Sequence, residues 1–148
     1  MAAYGTMDSA LLGNLYGFDN DIESYPASAD VTPGRPVYQT PGTPTTVHPT
    51  YVQGDVFVGV AVTSQRANIA DVGTYKQYEV VNVLTRGKVW VQVAAAVSTA
   101  PVAGYATSAG LFSITASGNY NVGAMFRTNQ ATVSGLAVLE VTGPKLVA

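Results

Sequence analysis

The side chains that could perform acid–base chemistry in this chain are few. His48 is the single histidine, and it precedes a proline in a stretch whose neighbouring sequence supplies no carboxylate to orient the imidazole. A general base needs such a held geometry, so we interpret His48 as an ordinary residue of an extended segment. The chain has no cysteine, and Lys76, Lys88 and Lys145 fall at the ends of predicted strands or in turns, where lysine is normally solvated. The sequence therefore predicts a protein that is not an enzyme.

Four acidic residues near the N-terminus have a spacing that metal sites use. Asp19, Asp21 and Glu23 alternate like the first ligands of a calcium loop, and Asp30 falls at the twelfth position of such a loop. Ser24, however, stands where the loop needs glycine for its sharp turn, and Asp30 would replace a bidentate glutamate. We therefore predict a solvated acidic surface, with no metal and no cofactor.

Neither nucleic acid nor a membrane is expected as a partner. The chain has no glycine-rich phosphate-binding run, and Arg86-Gly87-Lys88 brings too few charges together to hold nucleic acid. No apolar run reaches the ~18 residues of a membrane span, and no basic region precedes an apolar stretch as in a secretory signal.

Charge and proline divide the chain into two parts. Residues 1–34 contain five acids and no Lys or Arg, whereas the rest contains seven bases and four acids. Six of the eight prolines fall between residues 26 and 54. Proline has no N–H and a fixed φ, so this stretch cannot form a helix or a central strand. We predict an extended N-terminal arm and linker (1–50) that lies on another surface, followed by a β domain (51–148).

Most of the predicted elements are strands. The one helical pattern is Asp8–Leu12. The segment 55–62 is apolar on both faces, which indicates a strand buried on two sides. Tyr78–Leu84 and Lys88–Val93 flank Thr85-Arg86-Gly87, which predicts a β-hairpin. In its second strand Val89, Val91 and Val93 share the core face, while Lys88, Trp90 and Gln92 share the other face.

Further short strands are predicted at 111–114, 120–126 and 136–141, with turn residues between them. This spacing is typical of an all-β fold, a small β-sandwich or barrel of Greek-key or jelly-roll type. Charged residues make up 11% of the chain, against roughly 25% in a typical soluble domain. We therefore expect extensive protein contacts and a homo-oligomer, with a trimer preferred over a dimer.

Spaced tyrosines are the best candidates for those contacts. Tyr has a large contact area and few rotamers, which enriches it at interfaces. The alternative is that these side chains pack back on the chain's own β domain. The candidate residues are Tyr4, Tyr16, Tyr25, Tyr38 and Tyr51 in the arm, together with Trp90 in the β domain.

The order of several segments resembles the cement or decoration proteins of tailed bacteriophage capsids. The resemblance rests on Ser24–Ala27 leading to Gly34–Tyr38, on Gly54–Ala61, on the Tyr78–Val93 region and on Gly135–Val141. It implies an extended N-terminal segment before a small β domain, and oligomers that sit over contacts between major capsid subunits without performing chemistry. The acidic arm is longer than the resemblance implies.

The function expected from the residues and the resemblance together is that of a structural virion protein. It would be made in the host cytoplasm and would bind the outside of an icosahedral capsid, with the major capsid protein as its partner, and staple neighbouring subunits. The alternative is a receptor- or glycan-binding domain of a phage fibre or adhesin, for which an exposed Trp90 would be the first sugar platform. A hydrolase or nucleotide enzyme is a third alternative; Asp55, Asp71, Glu79 and Glu140 could supply the carboxylate pair of a glycoside hydrolase.

Overall fold

A computed structural model describes residues 12–13, 15–63 and 74–147, and within these ranges the fold is all-β, as predicted. No helix occurs in the described ranges; the predicted helix at Asp8–Leu12 lies almost entirely outside them, and Leu12 itself is in a turn. The strands are β1 (Leu15–Pro26), β2 (Pro36–Gln39), β3 (Val56–Ala61), β4 (Val80–Gln92), β5 (Val102–Ala106), β6 (Phe112–Ser113), β7 (Tyr120–Phe126), β8 (Leu136–Thr142) and β9 (Lys145–Leu146).

These strands form one antiparallel sheet that curls into a half-barrel. The order along the sheet is β2-β3-β4-β8-β7-β5-β6, with β1 paired to β4 and β9 paired to β3. The predicted strands at 120–126 and 136–141 correspond to β7 and β8, and the prediction at 111–114 contains β6. No helix in the described part of the chain has the length and apolar character that crossing a membrane would need.

The predicted hairpin at residues 78–93 is wrong. Thr85-Arg86-Gly87 is not a turn but the middle of β4, which runs without interruption for 13 residues. β1 pairs along one side of β4, while β3 and then β8 pair along the other side. Gly87 has φ +137° and the side chain of Asn20 lies where its Cβ would be, so glycine here permits a close approach of β1 rather than a reversal of the chain.

Strand β3 is buried on two sides, as predicted. Phe57 and Val60 belong to one core cluster, whereas Val58 and Ala61 belong to a second cluster on the other side of the strand. Both clusters are built from this chain alone. Burial of β3 on two sides therefore needs no partner subunit.

The extended, separate arm is not confirmed by the structure. β1 pairs with β4 over most of its length, and β2 pairs with β3. Ala27 and Val31 between these strands, and Val37 within β2, are buried in the second core cluster, and Val47 joins them from the rest of the proline-rich segment. The proline-rich segment thus lies on its own sheet. The division at residue 50 stays a prediction, and it would separate strands that are hydrogen-bonded to one another.

Candidate contact surface

Of the predicted contact tyrosines, Tyr38 is buried in the core and Tyr51 is partly buried against it. Tyr38 is 1% exposed. Its ring contacts Tyr51 and Phe57 edge-on, with centroids 5.5 and 6.1 Å away. Tyr51 in turn packs on Tyr120 at 4.3 Å. These contacts correspond to the alternative in which the tyrosines pack on the chain's own domain, because the proline-rich segment brings them over β3 and β7.

The Tyr38 hydroxyl has no hydrogen-bond partner in the described part of the chain. Burial raises its pKa strongly, and the nearby Tyr120, Tyr51 and Asp55 raise it further. The phenol is therefore neutral at all ordinary pH values and acts as an apolar ring in the core.

Tyr25 lies half-buried at the end of β1 and packs against the second core cluster. Its hydroxyl donates a hydrogen bond of 2.6 Å to Glu23 Oε1. This hydrogen bond, followed by burial and by the Glu23 charge, raises the pKa of Tyr25 to about 12. The contact fixes the Tyr25 ring along the strand, so the side chain is part of the fold as well as of the surface.

Tyr16 and Trp90 form the aromatic patch that reaches solvent. Their rings meet edge-on with centroids 6.0 Å apart. Tyr16 is 45% exposed and Leu15 beside it 38% exposed. The predicted alternation in β4 is confirmed, because Val89 and Val91 are fully buried whereas Trp90 is only half-buried. Tyr4, the remaining candidate, lies outside the described residues.

The acidic residues do not form a calcium loop in the described structure. Asp21 and Glu23 lie in β1, an extended strand paired with β4, so they cannot wrap around one ion. Asp30 accepts a hydrogen bond from the Gln77 N–H and lies 3.9 Å from Lys76 Nζ. No group of three or more metal-ligating side chains occurs among the described residues.

His48 has an orienting carboxylate that sequence reasoning missed. Its Nε2 lies 2.7 Å from Oδ2 of Asp55, a residue that is 1% exposed. The same carboxylate oxygen accepts the Val52 N–H at 2.9 Å. Asp55 follows His48 by only seven residues, but the turn between them had to be known before the two could be paired. The two hydrogen bonds hold this turn against the start of β3.

An exposed aromatic residue at a strained turn was also missed. Tyr78 is 78% exposed and has φ +73°, in the left-handed region that bulky residues rarely adopt. Its N–H donates to the Ala27 carbonyl, and the Lys76 N–H donates to Glu79 Oε1, so the turn is held at both ends. A positive φ cannot be predicted from the sequence at a residue that is neither glycine nor asparagine.

Comparison with known proteins places this geometry in context. The family model described as structural cement protein (E217 gp24/Pam3 gp6), of phages, matches residues 3–142. A solved chain from the capsid of Myoviridae phage XM1 has the same fold, with a TM-score of 0.72 over 89% of each chain and 17% sequence identity. A search of curated proteins finds no match.

Proposed function

This chain belongs to the structural cement protein family of phages, and from that premise we propose that it binds the outside of an icosahedral capsid and staples neighbouring major capsid subunits. A structural role in the capsid follows from membership of the family. The match over residues 3–142 is the observation that carries the proposal, because it spans the strands from β1 to β8.

The proposed mechanism is mass action. A protein that binds the assembled shell, and not the separated subunits, stabilises the shell by an amount that grows with its concentration relative to its Kd. A cement molecule that contacts two subunits also makes the second contact intramolecular. Many weak contacts across a shell then add to a large resistance against disassembly, and no chemical step is required.

The patch formed by Leu15, Tyr16 and Trp90 is the proposed anchor for this contact. Partly exposed aromatic rings supply much of the binding energy at protein interfaces, while charged neighbours set the rate of encounter. Asp21 and Glu23 on the same strand are exposed and negative. This combination suits a basic surface on the shell that has a pocket for an aromatic side chain.

Binding of purified protein to shells that lack it tests the proposal. Tyr16→Ala should weaken binding about tenfold or more, mainly through a faster off-rate, because lost packing affects dissociation. Val133→Ala, which alters another exposed apolar residue, is the matched control. Deletion of residues 1–34 is unsuitable, since it removes β1 from the sheet. Absence of binding by the unaltered chain would contradict the proposal.

We also propose that the chain acts as a homo-oligomer, a trimer or a dimer, on the shell. The low share of charged residues supports this, because 11% leaves a surface with few charges to keep molecules apart. Light scattering at tens of micromolar should show the oligomer. A monomer under these conditions would contradict it.

The second candidate function is a receptor- or glycan-binding domain of a fibre or adhesin. The observation in its favour is the same Tyr16–Trp90 pair, since half-exposed aromatic rings can stack on sugars. Screening the chain against a glycan array distinguishes the two functions. Saturable sugar binding that is lost in Trp90→Ala, with the fold intact, would favour this second candidate.

A further inference from the structure

The outer edge of β1 is unpaired along Ile22–Tyr25 among the residues that the structure describes. β1 pairs with β4 along one side only. In the part of the chain that the structure describes, no other segment forms a backbone hydrogen bond with Ile22–Tyr25. Alternate N–H and C=O groups of an extended strand point to each side, so half of those in Ile22–Tyr25 are open to another backbone.

Two features define the usable length of this edge. The register of β1 against β4 shifts between Tyr16 and Asp21 and again between Asp21 and Ile22. The carbonyl of Gly17 also accepts a hydrogen bond from the Asn20 side chain, so the first half of the strand is irregular. At the C-terminal end of β1, Pro26 has no N–H, and its carbonyl already accepts the Val47 N–H. Ile22–Tyr25 is thus the regular stretch to which a short strand can be added.

Acidic side chains flank Ile22 at the start of this stretch. β1 contains Asp19, Asp21 and Glu23 and no Lys or Arg. Asp21 and Glu23 are exposed, and Ile22 between them is 43% exposed. Opposite charges on facing positions of neighbouring strands stabilise the pair, and like charges destabilise it. A fitting strand would therefore carry Lys or Arg on both sides of an apolar residue.

A second copy of β1 does not fit these requirements. Two antiparallel copies centred on Ile22 would place Asp21 of one chain opposite Glu23 of the other, and would do so twice. Like charges would then face each other at both positions next to the centre, which disfavours pairing. β1 also has no Lys or Arg to place opposite these acids, so we expect a segment of different sequence on this edge.

We propose that the outer edge of β1 takes up an extended basic segment of the major capsid protein by β-strand addition. In this mode backbone hydrogen bonds provide affinity and the alternating side chains provide selectivity. The chemistry of the segment follows from the edge itself. Its assignment to the capsid protein rests on the proposed function.

A synthetic peptide tests the pairing without a capsid. An acetylated and amidated six-residue peptide of alternating lysine and valine is titrated into the isotopically labelled full chain, and backbone amide shifts and exchange rates are followed. We expect shifts centred on Ile22–Tyr25 and slower amide exchange there. The same peptide with N-methyl groups along one edge should fail to bind, because its donors on that edge are blocked.

Substitutions of the acids test the charge requirement. Asp21→Asn combined with Glu23→Gln should weaken peptide binding about tenfold or more at low salt. Glu23→Gln keeps an acceptor for the Tyr25 hydroxyl, so the strand should stay folded. Asp30→Asn removes an exposed acid of the same region outside β1, and it should leave the affinity unchanged.

Acidic residues on a sheet edge can also prevent aggregation. If that is their role here, the peptide should show no saturable binding to β1. Binding of the N-methylated peptide as tightly as the parent, no shift in β1, or an equally tight double variant would each overturn strand addition. So would self-association through β1, detected without peptide as amide exchange at Ile22–Tyr25 that slows as the protein concentration rises.

The capsid assignment is tested separately on shells. The Asp21→Asn, Glu23→Gln double variant should decorate them much more weakly than the unaltered chain. The peptide could pair with β1 while the double variant decorates shells as well as the unaltered chain does. That result would overturn the capsid segment as the occupant of the edge, while the proposed function would stand. Failure of the unaltered chain to bind shells would instead contradict the proposed function, and with it the capsid as the source of the strand.

Discussion

His48 and Asp55 form a hydrogen-bonded pair of 2.7 Å between Nε2 and Oδ2, with the carboxylate 1% exposed and the imidazole largely covered. Asp55 precedes β3, and the Val52 N–H also donates to it. The pair therefore joins the end of the proline-rich segment to the start of β3, which is buried on two sides. It has the geometry of a structural clamp on the turn between residues 48 and 55.

Asp55→Ala should lower the free energy of unfolding by about 3 kcal/mol, because it leaves a covered imidazole nitrogen and the Val52 N–H without their acceptor. Asp55→Asn retains one acceptor oxygen and should cost less. Urea denaturation of the three proteins provides the measurement. Equal stability of the alanine variant and the unaltered chain would show that the pair is not a clamp.

Tyr78→Gly should raise the free energy of unfolding by about 0.5–1 kcal/mol. Tyrosine in the left-handed region is strained, and with 78% of the residue exposed little packing is lost. Ser134→Gly, at the other positive-φ residue, should behave in the same way. Gln77→Gly next to it has no such strain to relieve and should be destabilising. A loss of stability in Tyr78→Gly would mean that its side chain makes contacts that outweigh the strain.

Gly87→Ala should destabilise the fold by about 2 kcal/mol or more, since a Cβ would collide with the Asn20 side chain at a φ of +137°. Asn20 Oδ1 accepts the Lys88 N–H, so displacing it also breaks a hydrogen bond between β1 and β4. Gly118→Ala, a positive-φ glycine with open space around it, controls for backbone strain alone. Thermal unfolding of both variants should show the larger loss for Gly87→Ala.

Stability should fall as the pH rises from 10 to about 12, in part through Tyr25. Its pKa is raised on folding, so the folded state holds the phenol proton more tightly than the unfolded chain does. The resulting stabilisation is complete below pH 10 and is lost as the pH passes the folded value. Tyr25→Phe should make the decline shallower, as measured by urea denaturation across this range. An identical pH profile would show that the Glu23 hydrogen bond does not hold the proton.

Local pattern was sufficient for the parts of the fold in which burial alternates along a strand. Two examples are the alternation of Val89 and Val91 with Trp90 and the two-sided apolar run of β3. In both, the residue types and their spacing are enough to predict which side chains are buried. β7 and β8 are bounded by residues typical of turns, which indicate where each strand begins and ends. Such elements could be read from the sequence because packing and propensity agree there.

β1 could not be predicted, because its sequence mixes glycine, acids and aromatics without alternation. It is a strand because β4 offers a long edge for pairing, which is a property of distant residues. The same cause explains the error at Arg86-Gly87. A glycine between two β segments looks the same in the sequence in two cases: where the chain reverses direction, and where a neighbouring strand approaches closely. The sequence left two positions open for Tyr38, a contact surface and the chain's own β domain, because its burial depends on how the proline-rich segment lies on the sheet.

Electron cryomicroscopy of the native particle that contains this chain tests the central claim most directly. The account predicts density for the half-barrel on the outer face of the shell, over the contacts between neighbouring major capsid subunits, with the Tyr16–Trp90 patch and the edge of β1 turned toward them. Density for this chain in a tail fibre, or a shell whose subunit contacts are free of it, would contradict the account.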